Sequence, residues 1–192
     1  LVGSEMCIRD RNKYKEKVII KVENTIKAIQ ELAKYKRSLY DIPVIAVTGS
    51  VGKTSTKDII ANVLGQKYKV LKTEGNMNNH IGLPMTLLKL KDHTAVVVEM
   101  GMNHFGEISL LTNIAKPTGC VITNIGTSHI GNLGSRENIL KAKLEILEGL
   151  DKNGFVLINN DNDLLHEWAK KEKRYKIYTY CLLYTSDAAD EL

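Results

Sequence analysis

A mostly parallel β-sheet flanked by helices is the architecture this sequence predicts, an α/β fold arranged around a glycine-rich turn between its first strand and first long helix. Three observations lead there. Six short runs rich in β-branched residues, at 44–47, 68–71, 95–99, 119–123, 155–158 and 175–180, alternate with stretches of helical periodicity. Several of those runs are apolar almost throughout rather than at every second residue, as expected of strands covered on both faces. Small residues, Gly, Ser, Thr and Asn, gather just after the apolar runs, where open α/β sheets place their ligands.

The two ends stand apart from this pattern. Residues 1–11 resemble the forward translation of a transposase-type sequencing adapter, and residues 181–192 resemble the reverse reading of its partner. Both are expected to be non-native, with the natural sequence running from Asn12 to Tyr180. A genomic reading that continued through Cys181 with the same residues would overturn this. Within residues 12–42, a short apolar run, Val18-Ile19-Ile20, leads into a helical pattern. Ile26, Ile29, Leu32 and Ala33 recur at helical spacing, and the segment closes on Lys and Arg. It reads as the end of a preceding domain and a connecting helix, with a junction at 38–43 where Pro43 favours extended backbone before it.

From residue 43 to 180 the elements follow one another without internal repeat or low-complexity sequence. Strand 44–47 enters the glycine-rich turn and then helix 53–64; strand 68–71 precedes helix 83–89; strand 95–99 precedes helix 105–114. Strand 119–123 is followed by a small-residue loop and helix 135–148. That helix opens on Ser135 as N-cap, stops at Gly149, and places Ile139, Leu140, Leu144 and Leu147 inward. Strand 155–158, helix 164–171 and strand 175–180 complete the order.

Composition narrows the class. The whole chain carries 27 basic and 22 acidic residues, a charge of +5; without the two ends, 25 face 17, or +8. Such a balance suits an anionic ligand as well as a nucleic acid. The lysines, however, are spread over helix faces (Lys13, Lys15, Lys17; Lys170, Lys171, Lys173), and no nucleic-acid motif accompanies them, so no nucleic-acid partner is expected. Of the three cysteines, Cys7 and Cys181 fall in the ends, leaving Cys120 inside an apolar run as a buried small hydrophobe. There is no disulfide framework and no cysteine-rich metal pattern. No apolar stretch approaches the ~20 residues that cross a bilayer, and no signal peptide is visible. A monomer in a reducing cytoplasm is the expected setting.

The chemistry is concentrated at the ends of the first four strands. Ile45-Ala46-Val47-Thr48 runs into Gly49-Ser50-Val51-Gly52-Lys53-Thr54-Ser55, a P-loop whose small residues let backbone wrap a phosphate and whose following helix offers free N–H groups and a positive dipole end. In such a loop Lys53 reaches the β- and γ-phosphates and the Thr54 hydroxyl sits on Mg²⁺. Val47 stands where the full pattern would have its first glycine. A plain strand-to-helix turn with a surface lysine is the competing reading, and the strand before and helix after favour the phosphate site. Glu99 closes strand 95–99, a carboxylate at the end of a buried strand where a Mg²⁺ ligand belongs. His129 ends the loop Thr123-Asn124-Ile125-Gly126-Thr127-Ser128-His129; from position alone, a structural residue and a ligand are equally open. Asn76-Met77-Asn78-Asn79-His80-Ile81-Gly82 offers amides that can bind sugar, peptide or carboxylate, though composition alone favours turn chemistry. Helix 135–148 carries Lys141, Lys143, Glu145 and Glu148, none singled out by its pattern.

Taken together, Thr48-Gly49-Ser50-Val51-Gly52-Lys53-Thr54, Gly75–Pro84, Glu99–Ile108 and Thr123–His129 resemble the Mur ligases, ATP-dependent amide-bond-forming enzymes of peptidoglycan synthesis. The Asn-rich segment and Gly134-Ser135-Arg136-Glu137-Asn138-Ile139 are most similar to the MurF branch, which joins D-alanyl-D-alanine to UDP-N-acetylmuramoyl-tripeptide. The likeness runs in order over residues 18–180. It implies that residues 43–180 are an incomplete central ATP-binding domain and that 12–42 end an N-terminal substrate domain. ATP and Mg²⁺ would be the cofactors. Lys53 would hold the ATP phosphates, Thr54 and Glu99 a first Mg²⁺, and His129 a second. The family's carbamylated lysine would be Lys143, with Lys141 the other candidate, and Asn78 and Asn79 would face the muramoyl-peptide. Catalysis would rest on Lys53, His129 and Lys143.

The resemblance also implies what this chain lacks. Mur ligases add a C-terminal domain that closes over ATP, and an adenine-contacting segment; the chain alone is therefore expected to bind nucleotide weakly and to ligate nothing. A folylpolyglutamate or cyanophycin synthetase of the same superfamily is the near alternative, disfavoured by the Gly-Asn-x-Asn-Asn-x-Ile-Gly segment. A P-loop regulatory module is the distant one, disfavoured by the absence of an Asn-Lys-x-Asp base-reading motif.

Overall fold

The computed structural model describes residues 20–181. The adapter-like ends, but for Cys181, lie outside the described residues, as do Val18 and Ile19 of the first apolar run and Lys13, Lys15 and Lys17. All six expected strands are present in one sheet of order β2-β3-β1-β4-β5-β6, every neighbouring pair parallel. They are β1 (Val44–Thr48), β2 (Val70–Lys72), β3 (Ala95–Glu99), β4 (Gly119–Ile122), β5 (Phe155–Asn159) and β6 (Lys176–Tyr180). The helices are α1 (Thr25–Ser38), α2 (Lys53–Leu64), α3 (Gly82–Leu88), α4 (Glu107–Ala115), the short α5 (Ile130–Leu133), α6 (Arg136–Leu144) and α7 (Asp163–Lys171).

Strand periodicity of two sorts the apolar side chains onto the two faces of the sheet. Val44, Ala46, Val96, Val98, Cys120, Ile122, Val156 and Ile158 point into the larger core, which α1, α3, α4, α6 and α7 help to close. Val47, Val97 and Val121 point the other way, into a smaller cluster with Ala61 of α2. Strands β3 and β4 are buried at every residue, whereas the edge strand β6 has one half-buried and four exposed. That gradient is why 95–98 and 119–122 read as unbroken apolar runs and the last strand does not. Burial pushes the Cys120 thiol up from its ordinary range, and its Sγ lies 3.6 Å from the Ile146 carbonyl, in keeping with an inert packing residue.

Most boundaries fall within one or two residues of the sequence expectation, and three departures have a local reason. Strand β2 begins at Val70 because the Tyr68 amide is still donating to Leu64 O, 2.8 Å away, at the tail of α2. The stretch after His129 forms α5 rather than open loop. The helix expected over 135–148 stops at Leu144 and tightens into a 3-10 turn, Glu145–Gly149. There the Glu145 carboxylate accepts from the amides of Gly106 (2.8 Å) and Ser109 (3.1 Å), capping α4, whose N-cap Gly106 has no side chain to do so. The Thr112 hydroxyl donates to Ile146 O at 2.7 Å and holds the turn against α4.

Helix α1, capped by Asn24 through its Oδ1 to the Lys27 amide, packs on α3 and α4. Ala33 is fully buried, and Arg37, 8 % exposed, donates to the carbonyls of Ala115 (2.8 Å), Lys116 (3.2 Å) and Tyr40. Burial lowers the Arg37 pKa, with Asp41 opposing, but a guanidinium remains charged. Arg37→Met should therefore leave three carbonyls without their donor at the foot of α4. A loss of about 2–3 kcal/mol is expected from the penalty of unpaired buried polar groups. A urea midpoint within error of the parent protein would refute it.

Candidate functional site

The strand order places β1 between β3 and β4, so the chain leaves the central strand toward one edge and later crosses to the other side. Ligands of open parallel sheets bind at such a switch point, beyond the carboxyl ends of the strands. The register makes the three loops meet there: Val47 of β1 pairs with Glu99, and Thr48 with Ile122. The glycine-rich turn, Glu99 and the loop 123–129 thus converge although 74 residues separate Ser50 from Asn124.

The turn Gly49-Ser50-Val51-Gly52 has two glycines at positive φ, Gly49 at 151° and Gly52 at 80°. At Gly49 a Cβ would lie 1.9 Å from Thr123 Oγ1, so no larger residue allows β4's exit to pass this close. Gly52 is the N-cap of α2 and supplies no side-chain cap, which leaves the first-turn amides of Lys53, Thr54 and Ser55 without a side-chain partner. An anion is the natural occupant of such an end. Lys53 Nζ lies across the turn, donating to Gly49 O at 2.9 Å and, more loosely, to Ser50 O at 3.5 Å. Gly49, Ser50, Val51, Gly52, Lys53, Thr54 and Ser55 therefore lie together, as the sequence pattern requires of a phosphate loop.

Glu99 is 2 % exposed and has both oxygens engaged. Thr54 Oγ1 donates to Oε2 at 2.8 Å and Asn78 Nδ2 to Oε1 at 2.7 Å. Its backbone N–H donates to Thr73 Oγ1 at 3.0 Å, and the buried Lys57 donates to Thr73 O at 2.8 Å, fixing the strand end from the far side. Among the described residues no cation forms an ion pair with Glu99. A buried carboxylate ordinarily has a positive partner. With the Thr54 hydroxyl beside it, the donors are hard oxygens, the set that suits Mg²⁺ completed by water and phosphate.

Lys143 and His129 lie near enough to Lys53 for the three charges to act on one another. Lys143 is 2 % exposed, whereas Lys141, two positions earlier on α6, is exposed. Burial and the nearby Lys53 charge push the Lys143 ammonium down to about 7, and among the described residues no hydrogen bond or ion pair holds it. His129 is at the rim, exposed, in a left-handed conformation (φ 68°). Partial desolvation, then the charges of Lys143 and Lys53, hold its imidazole below the usual histidine range, against the pull of Glu107. The described residues contain no group of three or more His, Cys, Asp and Glu that could hold a metal. An ammonium does not ligate a cation; an amine that gains CO₂ becomes a carboxylate-like donor, and only in that form would Lys143 and His129 suit a second Mg²⁺.

Asn78 and Asn79 line a cavity of about 300 Å³ with His80, Gly101, Asn103, Glu107 and His129 among its other walls. Their amides also serve the scaffold. Asn78 holds Glu99, and Asn79 Oδ1 accepts from the amides of Ile81 (3.1 Å) and Gly82 (2.9 Å), opening α3. Sequence reasoning did not single out Asn124, Thr123 or Arg136. Asn124 Oδ1 accepts from the amides of Ser50 and Val51, each at 3.0 Å, and Thr123 Oγ1 donates to Val51 O at 2.6 Å. Arg136 forks onto Asp163 at 2.9 and 2.6 Å and also reaches Ile125 O at 3.0 Å, which Asn162 Nδ2 shares at 3.1 Å. Small polar residues after a strand were the only signal, and they do not say which partner each will meet.

The Mur ligase middle domain family matches residues 47–190. The UDP-N-acetylmuramoyl-tripeptide–D-alanyl-D-alanine ligase of Bacillus subtilis is 50 % identical over 148 residues, 77 % of this chain and 32 % of that protein. In three dimensions, a crystal structure of MurF from Acinetobacter baumannii has a TM-score of 0.78 at 36 % identity, covering 85 % of this chain and 38 % of its own. The MurF ligase from Thermotoga maritima, crystallised in complex with ADP, has a TM-score of 0.78 at 32 % identity, covering 86 % and 40 %. The chain thus spans about a third of the length of the curated relatives it matches. Among the described residues no helix is long and apolar enough to cross a membrane.

Proposed function

Because the chain belongs to the Mur ligase middle-domain family, we propose that it forms the ATP-binding centre of an ATP-dependent carbon–nitrogen ligase of peptidoglycan precursor synthesis, one that adds D-alanyl-D-alanine to UDP-N-acetylmuramoyl-tripeptide. The observation that carries the reading is the convergence of the phosphate loop, the Thr54–Glu99 pair and Lys143 at one switch point. The relatives' names supply the substrates, and the ADP complex of a relative supports the nucleotide. The working protein is taken to be a cytoplasmic monomer longer than this chain, in which residues 43–180 are the central domain.

The reaction proceeds by acyl activation. The tripeptide's terminal carboxylate attacks the γ-phosphate of ATP, giving an acyl phosphate and ADP. The amine of D-alanyl-D-alanine then adds to the acyl carbon and gives up a proton to water, and phosphate leaves with the electrons of the broken C–O bond. Two anions must approach each other in the first step, so the site's work is to hold and neutralise charge. The amides of Lys53, Thr54 and Ser55 receive phosphate oxygens at the start of α2, and Lys53 swings from Gly49 O to the outer phosphates. Thr54 and Glu99 would hold Mg²⁺, with His129 and carbamylated Lys143 a second; the metal supplies Lewis-acid neutralisation of phosphate charge. Asn78 keeps the Glu99 carboxylate turned toward Thr54. Asn79, at the wall of the 300 Å³ cavity, faces the muramoyl-peptide.

Phosphate release by the full-length protein should require ATP, UDP-N-acetylmuramoyl-tripeptide and D-alanyl-D-alanine together. Replacing D-alanyl-D-alanine by glutamate should reduce the rate to background. Equal or faster turnover with glutamate would move the protein to another branch of the superfamily and refute this assignment.

A further inference from the structure

The backbone amides of the phosphate loop fall into two sets. Those of Lys53, Thr54 and Ser55 begin α2 and have no capping side chain. Those of Ser50 and Val51, just before, are both turned onto Asn124. Val51 N–H donates to Asn124 Oδ1 at 3.0 Å; Ser50 N–H is shared between that oxygen, at 3.0 Å, and the Asn124 main-chain carbonyl, at 3.1 Å. The Ser50 amide is thus drawn by two acceptors of one residue toward the end of β4 rather than into the bowl of the loop.

The same segment grips the loop elsewhere. Thr123 N–H donates to Thr48 O at 2.9 Å, Thr123 Oγ1 to Val51 O at 2.6 Å, and Gly126 N–H to Ser50 Oγ at 2.9 Å. Ser128 Oγ lies 3.4 Å from Ser50 O. One residue later the chain reaches His129. On the far side, Ile125 O is fixed by Arg136 and Asn162. The loop is therefore set on a strand-end segment that is itself anchored.

Resting on the ATP-ligase reading above, we infer that Asn124 is a positioning residue for ATP: its carboxamide oxygen holds the Ser50 and Val51 amides and so fixes the curvature that aims the Lys53, Thr54 and Ser55 amides and the Lys53 side chain at the phosphates. The Asn124 oxygen is an acceptor, as phosphate oxygens are, so its part is to hold amides and not to bind the anion. It stays on Ser50 and Val51 whether or not nucleotide is present, and because residues 123–129 form one connected stretch, it keeps the phosphate loop and His129 in a common frame.

The test uses the full-length ligase. Asn124→Ala should raise the KM for ATP about tenfold or more, since small misplacement of binding groups is costly, and leave the KM for D-alanyl-D-alanine within about twofold of the parent. Hydrogen exchange supplies a readout that loss of general stability would not give. In the variant the Val51 amide, deprived of its acceptor, should exchange much faster, while Ser50 keeps partial protection from the Asn124 main chain. An unchanged ATP KM in Asn124→Ala, in a background where Lys53→Ala loses ATP binding, would overturn the inference and leave the ATP reading intact. A lowered KM would also overturn it, by making Oδ1 a competitor of phosphate. If Lys53→Ala binds ATP normally, the ATP reading itself fails. Should Asn124→Ala not fold, the parent protein decides: a Val51 amide protected without nucleotide supports the brace, and one exchanging at the free-peptide rate overturns it.

Discussion

Lys53→Ala in the full-length protein is expected to lower ATP-dependent phosphate release about a thousandfold, to near background. Lys53 is the first residue of α2 and its ammonium already lies over the loop, 2.9 Å from Gly49 O, so only a side-chain rotation separates it from a phosphate bound at the helix end. No neighbour can replace it. Lys57, one turn on, is buried and committed to Thr73 O, with Asp58 at 3.2 Å. Lys143 is enclosed and, in the proposed chemistry, carries no positive charge during turnover. Removing a single preorganised group that meets developing charge typically costs 10²–10³-fold, and a phosphoryl-transfer cation can be worth more. Release measured by a coupled phosphate assay at saturating substrates is the appropriate observation. Turnover within tenfold of the parent would remove Lys53 from the mechanism.

Lys143→Met should have two opposite effects, inactivating the enzyme and stabilising the nucleotide-free fold. The ammonium is pushed from 10.5 to about 7 by burial and by Lys53. Its folded pKa thus lies below its unfolded value, so between those limits the unfolded chain binds more protons and parental stability rises with pH. The penalty is fully present below pH 7 and vanishes above about pH 10.5. A shift of this size corresponds to roughly 5 kcal/mol, at 1.36 kcal/mol per unit. Methionine keeps most of the volume without the charge, so its advantage should be largest at pH 6 and shrink steadily toward pH 10. Thermal midpoints across that range, with CO₂ excluded, give the answer. An advantage that grew with pH would contradict the burial of an uncompensated ammonium. Lys141→Met, at an exposed position, should do neither.

The two lysines also show where sequence reasoning stopped. They are two residues apart on a helix, so they must face different ways; the inward set Ile139, Leu140, Leu144 and Leu147 brackets position 143, yet a lysine among apolar residues does not by itself declare that it is buried. Only the packing of Ile139, Ala142 and Ile146 into the core, with Lys143 among them, decides it. The strands were legible because β3 and β4 are buried on both faces and therefore apolar at every position but the last, Glu99. Their spatial order was not, since no local signal says that β1 will lie between β3 and β4. The phosphate loop was legible because its residues are contiguous and its geometry is self-contained. Asn78 and Asn124 were not, because each acquires its role from a partner far along the chain: Glu99 for one, the amides of Ser50 and Val51 for the other. Glu145, which its helical pattern does not single out, caps a helix 36 residues upstream.

Helix α1 has a practical bearing on how this unit could be cut out or joined to another. Pro43 invites a boundary just ahead of β1, but a protein started there would lose Ala33 from its core and the Arg37 fork that closes the foot of α4. It would bare the surface of α3 and α4 that α1 covers, a ready route to aggregation. The safe point of excision or fusion lies upstream of Asn24, whose side chain starts the helix. Helix α1 thus belongs with the sheet it covers and travels with it wherever this unit is moved.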